Sequence, residues 1–173
     1  MPVKKIILLF ISVFALSASI PIQVENEYPL KAAFLYRFID YIEWSDNNNE
    51  PFFNIAVLGD SPILAPLNQI AGSKLAKNKR ISVKQYDNLN TIGSPQILFI
   101  SRSSGYTIEE ILSKISGKPM LIVTEQPGYA EKGAHLNFFA SESKLRFEVN
   151  LKSANRFGLK FSYQLLQHAV VVN

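Results

Sequence analysis

The 173-residue sequence contains no cysteine and only two histidines. The absence of cysteine excludes disulfides, thiolate metal sites, a cysteine nucleophile and thiol redox switching. The histidines, His135 and His168, are far apart and outside the H-E-x-x-H spacing that places two imidazoles on one helix face. The sequence therefore predicts no cofactor and no metal site, and the stability of the chain must come from packing.

Motifs of the common enzyme classes are also missing. The chain has no G-x-S-x-G elbow, no G-x-x-x-x-G-K-[ST] phosphate loop and no G-x-G-x-x-G fingerprint. A Ser–His–Asp set could still assemble from distant positions. However, a histidine among apolar neighbours, as His168 is, is more often a packed side chain. The sequence predicts a protein that is not an enzyme.

Charge of one sign does not dominate. The 18 basic and 14 acidic residues leave a net charge of +4. The one dense basic cluster consists of Lys74, Lys77, Lys79 and Arg80, and no aromatic residue lies within it. Nucleic-acid binders usually show a basic stripe or patch, so this cluster is better explained as a solvent-exposed hairpin or loop. Nucleic acid is not an expected partner.

The N-terminus has the pattern of a secretory signal peptide. Lys4 and Lys5 precede an apolar run over 6–16, and the small residues 17–19 follow. The run is shorter than the roughly 20 residues that span a bilayer, which makes a retained anchor the poorer interpretation. We expect cleavage to remove residues 1–19 and to leave 20–173 as one exported domain. Losing two lysines leaves 16 basic and 14 acidic residues, a net charge of +2.

An aromatic-rich helix is predicted from Tyr28 to Trp44. Arg37, Asp40 and Glu43 recur every three residues and define one narrow polar face, while most other positions are apolar. Such a helix is either largely buried in the core or uses part of its aromatic face at an interface, for instance in a homodimer. Both interpretations stay open.

After Pro51, short apolar strands alternate with amphipathic helices. This alternation predicts the α/β class, as a single domain with a mixed sheet flanked by helices and a C-terminal β-hairpin and helix. The predicted strands are 53–58, 81–86, 96–100, 119–123, 135–139 and 145–149. The predicted helices are 63–70, 107–115, 151–157 and 163–169.

Three polar loops, 59–61, 101–105 and 124–126, are expected at the carboxyl ends of strands, where open α/β sheets usually bind ligands. The middle loop offers an arginine and hydroxyl groups just before a helix N-terminus, a combination that favours an anion. The alternative is that these residues only cap the helix and form the turn. The candidate ligand-binding residues are Asp60, Ser101, Arg102 and Ser103.

Four stretches, in order and in register, carry a family resemblance over nearly the whole chain after the leader. They are LKAAFLYRF at 30–38, FNIAVLGDSP at 53–62, ILFIS at 97–101 and RFEVNL at 146–151. Together they resemble the YfiR family of exported bacterial proteins, which is related to the regulator HmsC.

This resemblance implies a non-enzymatic periplasmic regulator. Members are understood to hold the periplasmic sensing part of a membrane-bound diguanylate cyclase inactive. An outer-membrane lipoprotein can draw them away, which releases cyclic-di-GMP synthesis and biofilm formation. Relatives of this module can serve other membrane sensors, so a histidine kinase is also a possible target. Some members couple regulation to cysteine pairs, which this chain lacks.

The last matching stretch supplies the candidate partner-binding residues. In a strand, Arg146, Glu148 and Asn150 alternate with the apolar residues 147, 149 and 151, so one face is polar and the other packs. We expect partner contacts on the polar face. The alternative is an ordinary solvated sheet face.

Overall fold

The computed structural model describes residues 27–45, 50–115 and 117–173. The predicted signal peptide lies outside this range, and so does the polar stretch 46–49. Within the described residues, no helix combines the length and the apolar character needed to cross a membrane.

The described residues form ten strands and five helices, and a short 3-10 turn lies at Leu89–Thr91. The strands are β1 (Ile42–Trp44), β2 (Phe52–Leu58), β3 (Leu75–Ala76), β4 (Lys79–Tyr86), β5 (Ile97–Ile100), β6 (Leu121–Thr124), β7 (Leu136–Ser141), β8 (Lys144–Asn150), β9 (Leu159–Phe161) and β10 (Val170–Val172). The helices are α1 (Glu27–Tyr41), α2 (Leu64–Ala71), α3 (Ile108–Ile115), α4 (Leu151–Arg156) and α5 (Tyr163–Leu166).

Eight of these strands form one mixed sheet in the order β10-β8-β7-β6-β5-β2-β4-β3. The central strands β4, β2, β5, β6 and β7 are parallel, whereas β8 runs antiparallel to β7 and β3 antiparallel to β4. The chain leaves β2 toward β4 and returns to β5 on the other side of β2. The strand order therefore reverses between β2 and β5, the place where open sheets form a crevice. The predicted α/β class is confirmed.

Both faces of the sheet are covered, which explains why its central strands are continuously apolar. Phe99 of β5 packs into the core on the side of α1 and α2, together with Leu35 and Leu67. Ile100, the next residue, faces the opposite core with Ile111 of α3. All four residues of β5 and all four of β6 are buried.

Helix α1 confirms most of the predicted N-terminal helix. Leu35, Phe38 and Ile39 are buried, and Arg37 and Asp40 are exposed. The prediction was wrong over the last three residues, which form β1 and pair antiparallel with β9. The helical period of the sequence runs on past Tyr41, but the backbone of 42–44 bonds instead to a strand near the other end of the chain.

An aromatic cluster joins α1 to the β7–β8 hairpin. The rings of Phe34 and Phe38 lie 4.9 to 6.2 Å, centre to centre, from those of Phe138 and Phe147. Aromatic pairs at such distances stabilise a core beyond the area that they bury. This face of the helix is therefore used inside the domain.

Two tight turns match the sequence. Lys77 and Asn78 have φ angles of 49° and 63° between β3 and β4, so the basic cluster lies on a solvent-exposed hairpin, as predicted. Glu142 and Ser143 have φ angles of 51° and 59° and close the predicted β7–β8 hairpin. The predicted helix 163–169 was wrong beyond Leu166, because residues 167–169 form a turn that leads into β10 beside β8.

His135 is a fully buried core residue. Its Nδ1 accepts a hydrogen bond from the Ile122 N–H at 3.1 Å, and its ring lies edge-on to Phe157. Burial lowers the pKa of His135 from 6.5 to about 3. Between these values the unfolded chain binds a proton that the folded protein does not. The free energy of unfolding therefore falls as the pH drops from 6.5 toward 3, by at most about 1.4 kcal/mol per pH unit from this residue.

We predict that His135→Asn removes this pH dependence. An asparagine Oδ1 can still accept from the Ile122 N–H. Loss of the ring contact with Phe157 should therefore lower the free energy of unfolding by the same amount at every pH. Urea unfolding of both proteins at pH 7.5, 6 and 5 measures the effect. The stability of the two proteins should converge as the pH falls. If the free energies of unfolding of the two proteins fell in parallel as the pH drops, the role assigned to His135 would be contradicted.

Candidate functional site

The loops after β2 and β5 meet at the carboxyl edge of the sheet, as the sequence predicted. The Ser103 hydroxyl donates to the Asp60 carbonyl oxygen at 2.7 Å and lies 2.9 Å from the Ser101 hydroxyl oxygen. Gly59 has a φ of +84°, and a Cβ there would lie 2.6 Å from Ser101 Oγ and 2.8 Å from Ser104 Cα. Only glycine allows the two loops to approach this closely.

The loop after β6 joins them through Glu125. The Arg102 N–H donates to Glu125 Oε1 at 3.4 Å, and Arg102 Nε donates to the Glu125 carbonyl oxygen at 3.2 Å. The Glu125 residue is only 2% exposed. The loop predicted to bind an anion therefore already holds a carboxylate of the protein itself.

Helix α1 adds a buried lysine that sequence reasoning missed. Lys31 is 1% exposed, and its ammonium is paired with the carboxylates of both Glu27 and Glu125. Arg102 Nη2 lies 3.6 Å from Glu27 Oε1 and links the two ends of the cluster. Two acids and two bases thus form a connected, charge-balanced group, which we call the ion cluster.

Tyr28 borders the ion cluster. The Lys31 ammonium lies 4.7 Å from the centre of its ring, within cation–π range. Burial and the nearby carboxylates of Glu125 and Glu27 raise the pKa of the Tyr28 hydroxyl above 10.0. The phenol therefore stays neutral at physiological pH.

The signal for Lys31 was present in the sequence. Lys31, Leu35, Phe38 and Ile39 follow the i, i+4, i+7, i+8 spacing of a single helix face. A lysine within an apolar stripe must find a buried partner, and Glu27 lies one turn before it. The second partner, Glu125, could not be paired with it from spacing alone.

The ion cluster suits a structural clamp better than a catalytic centre. A buried ion pair is stable only when further hydrogen bonds satisfy the charges, and here each charge has more than one partner. Within the described residues, no group of three or more histidine, aspartate or glutamate side chains could hold a metal ion. A cavity of about 300 Å³ lies elsewhere, lined in part by Asn54, Ser82 and Lys84, and contains none of the predicted ligand residues.

Of the predicted partner residues, Arg146 is exposed and Glu148 is half-buried, on the same face of β8. Glu148 Oε2 accepts from Asn137 Nδ2 at 2.8 Å, and Asn137 Oδ1 accepts from the buried Thr124 hydroxyl at 2.6 Å. This row of side chains fixes the Glu148 carboxylate from inside the sheet. Partner binding by Arg146 and Glu148 stays a prediction.

Asn150 has a different environment. It is 4% exposed and caps α4, because its Oδ1 accepts from the Ser153 N–H at 2.8 Å. Its Nδ2 donates to the Ala130 carbonyl oxygen at 2.9 Å. Its amide is thus used within the domain, and a partner contact at this residue also stays a prediction.

Comparison of the sequence with known protein families gives a match that covers most of the chain. A sequence model described as YfiR/HmsC-like matches residues 28–170. The chain belongs to the YfiR/HmsC-like family. The family is regulatory and non-enzymatic, and membership supports a general role as a periplasmic regulator that interacts with a membrane signalling partner.

More distant comparisons add little. No curated protein matches the chain. A solved structure that the chain resembles is the ABC domain in complex with L-Trp from Streptococcus pneumonia, at 12% identity and a TM-score of 0.47. The match covers 69% of this chain and 56% of that one, so this chain spans just over half of its length. A likeness this distant says nothing about function.

We predict that breaking the ion cluster on one side is costly, because it leaves a buried carboxylate without its counter-charge. Lys31→Met should lower the free energy of unfolding by about 3–5 kcal/mol. The double variant Lys31→Met, Glu125→Gln should lose less stability than the sum of the losses in the two single variants. The difference, which is the coupling energy, should be about 1–3 kcal/mol. Urea unfolding measures the free energy of unfolding of the two single variants and the double variant.

Lys114→Met is the matched control, because Lys114 is exposed in the last turn of α3. It should change the free energy of unfolding by less than about 0.5 kcal/mol. Additive effects of Lys31→Met and Glu125→Gln would show that the two side chains do not depend on each other.

Proposed function

We propose that this protein binds the periplasmic sensing part of a membrane-bound diguanylate cyclase and holds the enzyme inactive. It would thereby limit cyclic-di-GMP synthesis and biofilm formation. The family match over residues 28–170 carries this proposal. A histidine kinase with a periplasmic sensor is the alternative target of the same class, and an outer-membrane lipoprotein is the proposed competitor that removes the regulator.

The repression follows from differential binding. A regulator shifts its target only by as much as it prefers the inactive conformer over the active one. Moving the target from 1:99 to 99:1 in favour of the inactive state requires a preference of about 10⁴-fold. A competitor that occupies the regulator reverses the shift without touching the target.

The β7–β8 hairpin is the surface that we propose for this contact. Its apolar side, with Phe138 and Phe147, is packed against α1, whereas Arg146 is exposed on the other side. The hydrogen bond from Asn137 holds the Glu148 carboxylate in one position. A binding group that is already ordered loses less entropy when a partner binds.

A second candidate is a small anionic ligand at Asp60, Ser101, Arg102 and Ser103. The observation that favours it is the exposure of Arg102, whose side chain stays 60% exposed although it contacts Glu125 and Glu27. Its free guanidinium edge could bind a carboxylate or phosphate beside the Ser103 hydroxyl. Such a ligand could tune the protein contact, so the two functions are compatible.

We predict that the exported protein, used as bait on solubilised envelope membranes, retains a signalling protein with a periplasmic sensing part. Mass spectrometry identifies it. Glu148→Lys should reduce the retained amount roughly tenfold, equivalent to about 1.4 kcal/mol, because a lysine cannot accept the hydrogen bond from Asn137 that orders this face of β8. Glu148→Gln, which keeps an acceptor for Asn137, separates loss of the charge from loss of the internal hydrogen bond. Glu131→Lys, the same charge change at another exposed position, should retain the parental amount.

Three results would count against this function. They are retention of no membrane signalling protein, equal losses in Glu148→Lys and Glu131→Lys, or unfolding of both Glu148 variants. If nothing is retained but a small anion raises the thermal midpoint of the parent and not of Arg102→Ala, the second candidate replaces the first. An Arg102→Ala variant with unchanged ligand affinity and unchanged stability would remove the second candidate.

A further inference from the structure

The outer edge of β8 is only partly covered. Strand β10 pairs with residues 148–150 of β8 and no further. Strand β8 begins at Lys144, and on its other side β7 pairs with it along the whole hairpin. Among the described strands, none pairs with the outer edge of residues 144–147, which we call the open edge.

The turn determines which backbone groups point outward. In a hairpin with a two-residue turn, the pair that flanks the turn exchanges both hydrogen bonds, here Ser141 and Lys144. Leu145 then directs its N–H and C=O groups, and Phe147 its N–H group, to the open edge, whereas the Phe147 C=O faces Val170, where β10 begins. The Asn150 N–H donates inward to the His135 carbonyl oxygen at 3.1 Å, as expected if the even-numbered residues of β8 bond toward β7. Such a row of donors and acceptors is a template for another strand.

The basic side chains beside the open edge favour an acidic partner. Lys144 and Arg146 are exposed on one side of the open edge. Residues 144–173 contain five basic residues and one acidic residue, and the acidic one, Glu148, is bonded to Asn137. A second copy of the chain pairing at this edge would bring its own Lys144 and Arg146 against these. Like charges across a strand pair are destabilising, whereas opposite charges stabilise it.

We propose that the open edge of β8 binds an extended acidic segment of the partner protein by strand addition. The N–H and C=O groups of Leu145 and the N–H group of Phe147 would supply the hydrogen bonds, and Lys144 and Arg146 would contact acidic side chains at alternate positions of the segment. The other positions of the segment would be apolar and continue the side of the sheet formed by Leu145 and Phe147. The proposal rests on the proposed function only in assigning this segment to the membrane signalling protein.

A blocked five-residue peptide that alternates glutamate and valine tests the proposal, with the lysine–valine peptide as its charge control. Each is titrated into the ¹⁵N-labelled exported protein, and amide shifts are followed by NMR. We expect saturable shifts at Leu145 and Phe147 with the glutamate peptide and at least tenfold weaker binding of the lysine peptide. N-methylation of the peptide amides that face the edge should abolish the shifts.

Charge reversal on the protein supplies the second arm. Arg146→Glu should invert the preference between the two peptides. Lys152→Glu, an equal change on the exposed side of α4, should leave the preference as it is. Both variants are first compared with the parent by thermal unfolding, so that a folding defect is not mistaken for a binding defect.

Absence of saturable shifts at residues 144–147, equal binding of the two peptides, or unchanged preference in Arg146→Glu would each overturn strand addition. These results are separable from the function itself. Capture of a membrane signalling protein with no peptide effect at the edge would mean that the partner binds another surface. Peptide binding at the edge without such capture would mean that the acidic partner is a different protein.

Discussion

The ion pair between Lys31 and Glu125 joins the first turns of α1 to the carboxyl end of the parallel sheet, and much of the domain depends on that junction. It anchors one end of the helix, and β1 anchors the other end by pairing with β9. Between these points, Phe34 and Phe38 form the layer on which the β7–β8 hairpin rests. The position of the hairpin therefore depends on a helix that is held by charge at its start and by strand pairing at its end.

The same junction changes how the carboxyl edge of the sheet can be used. Open α/β sheets usually keep a ligand crevice there. In this protein, Glu125 accepts from the Arg102 N–H and pairs with Lys31. These side chains occupy much of the space at the carboxyl edge where a ligand would bind. We infer that regulation by protein contact uses the hairpin, while any small ligand is limited to the exposed part of Arg102. The hairpin combines an ordered carboxylate, exposed positive charge and an edge over residues 144–147 that none of the described strands pairs with.

Much of the fold could be predicted from local pattern. Strands β5 and β6 are apolar throughout because both of their faces are buried, and the alternation of β8 is visible because only one of its faces is. Pairings between distant segments could not be predicted: β1 was taken as the end of a helix, and β10 lies just beyond the predicted C-terminal helix and was not predicted. For the site, the three loops were predicted to share an edge, but the pairing of Lys31 with Glu125 could not be predicted because 94 residues separate them. The alternation of β8 places Asn150 on the polar face of the strand. Its use as a helix cap depends on α4, which begins at the next residue.

Photo-crosslinking in cells tests most directly which part of the molecule meets the membrane partner. A photoreactive residue replaces Arg146 in the full chain in one strain and Arg102 in another, and the crosslinked proteins are identified by mass spectrometry. The account predicts a membrane signalling protein with a periplasmic sensing part crosslinked from position 146 and none from position 102. Crosslinks to such a protein from position 102 alone, or from neither position, would contradict it.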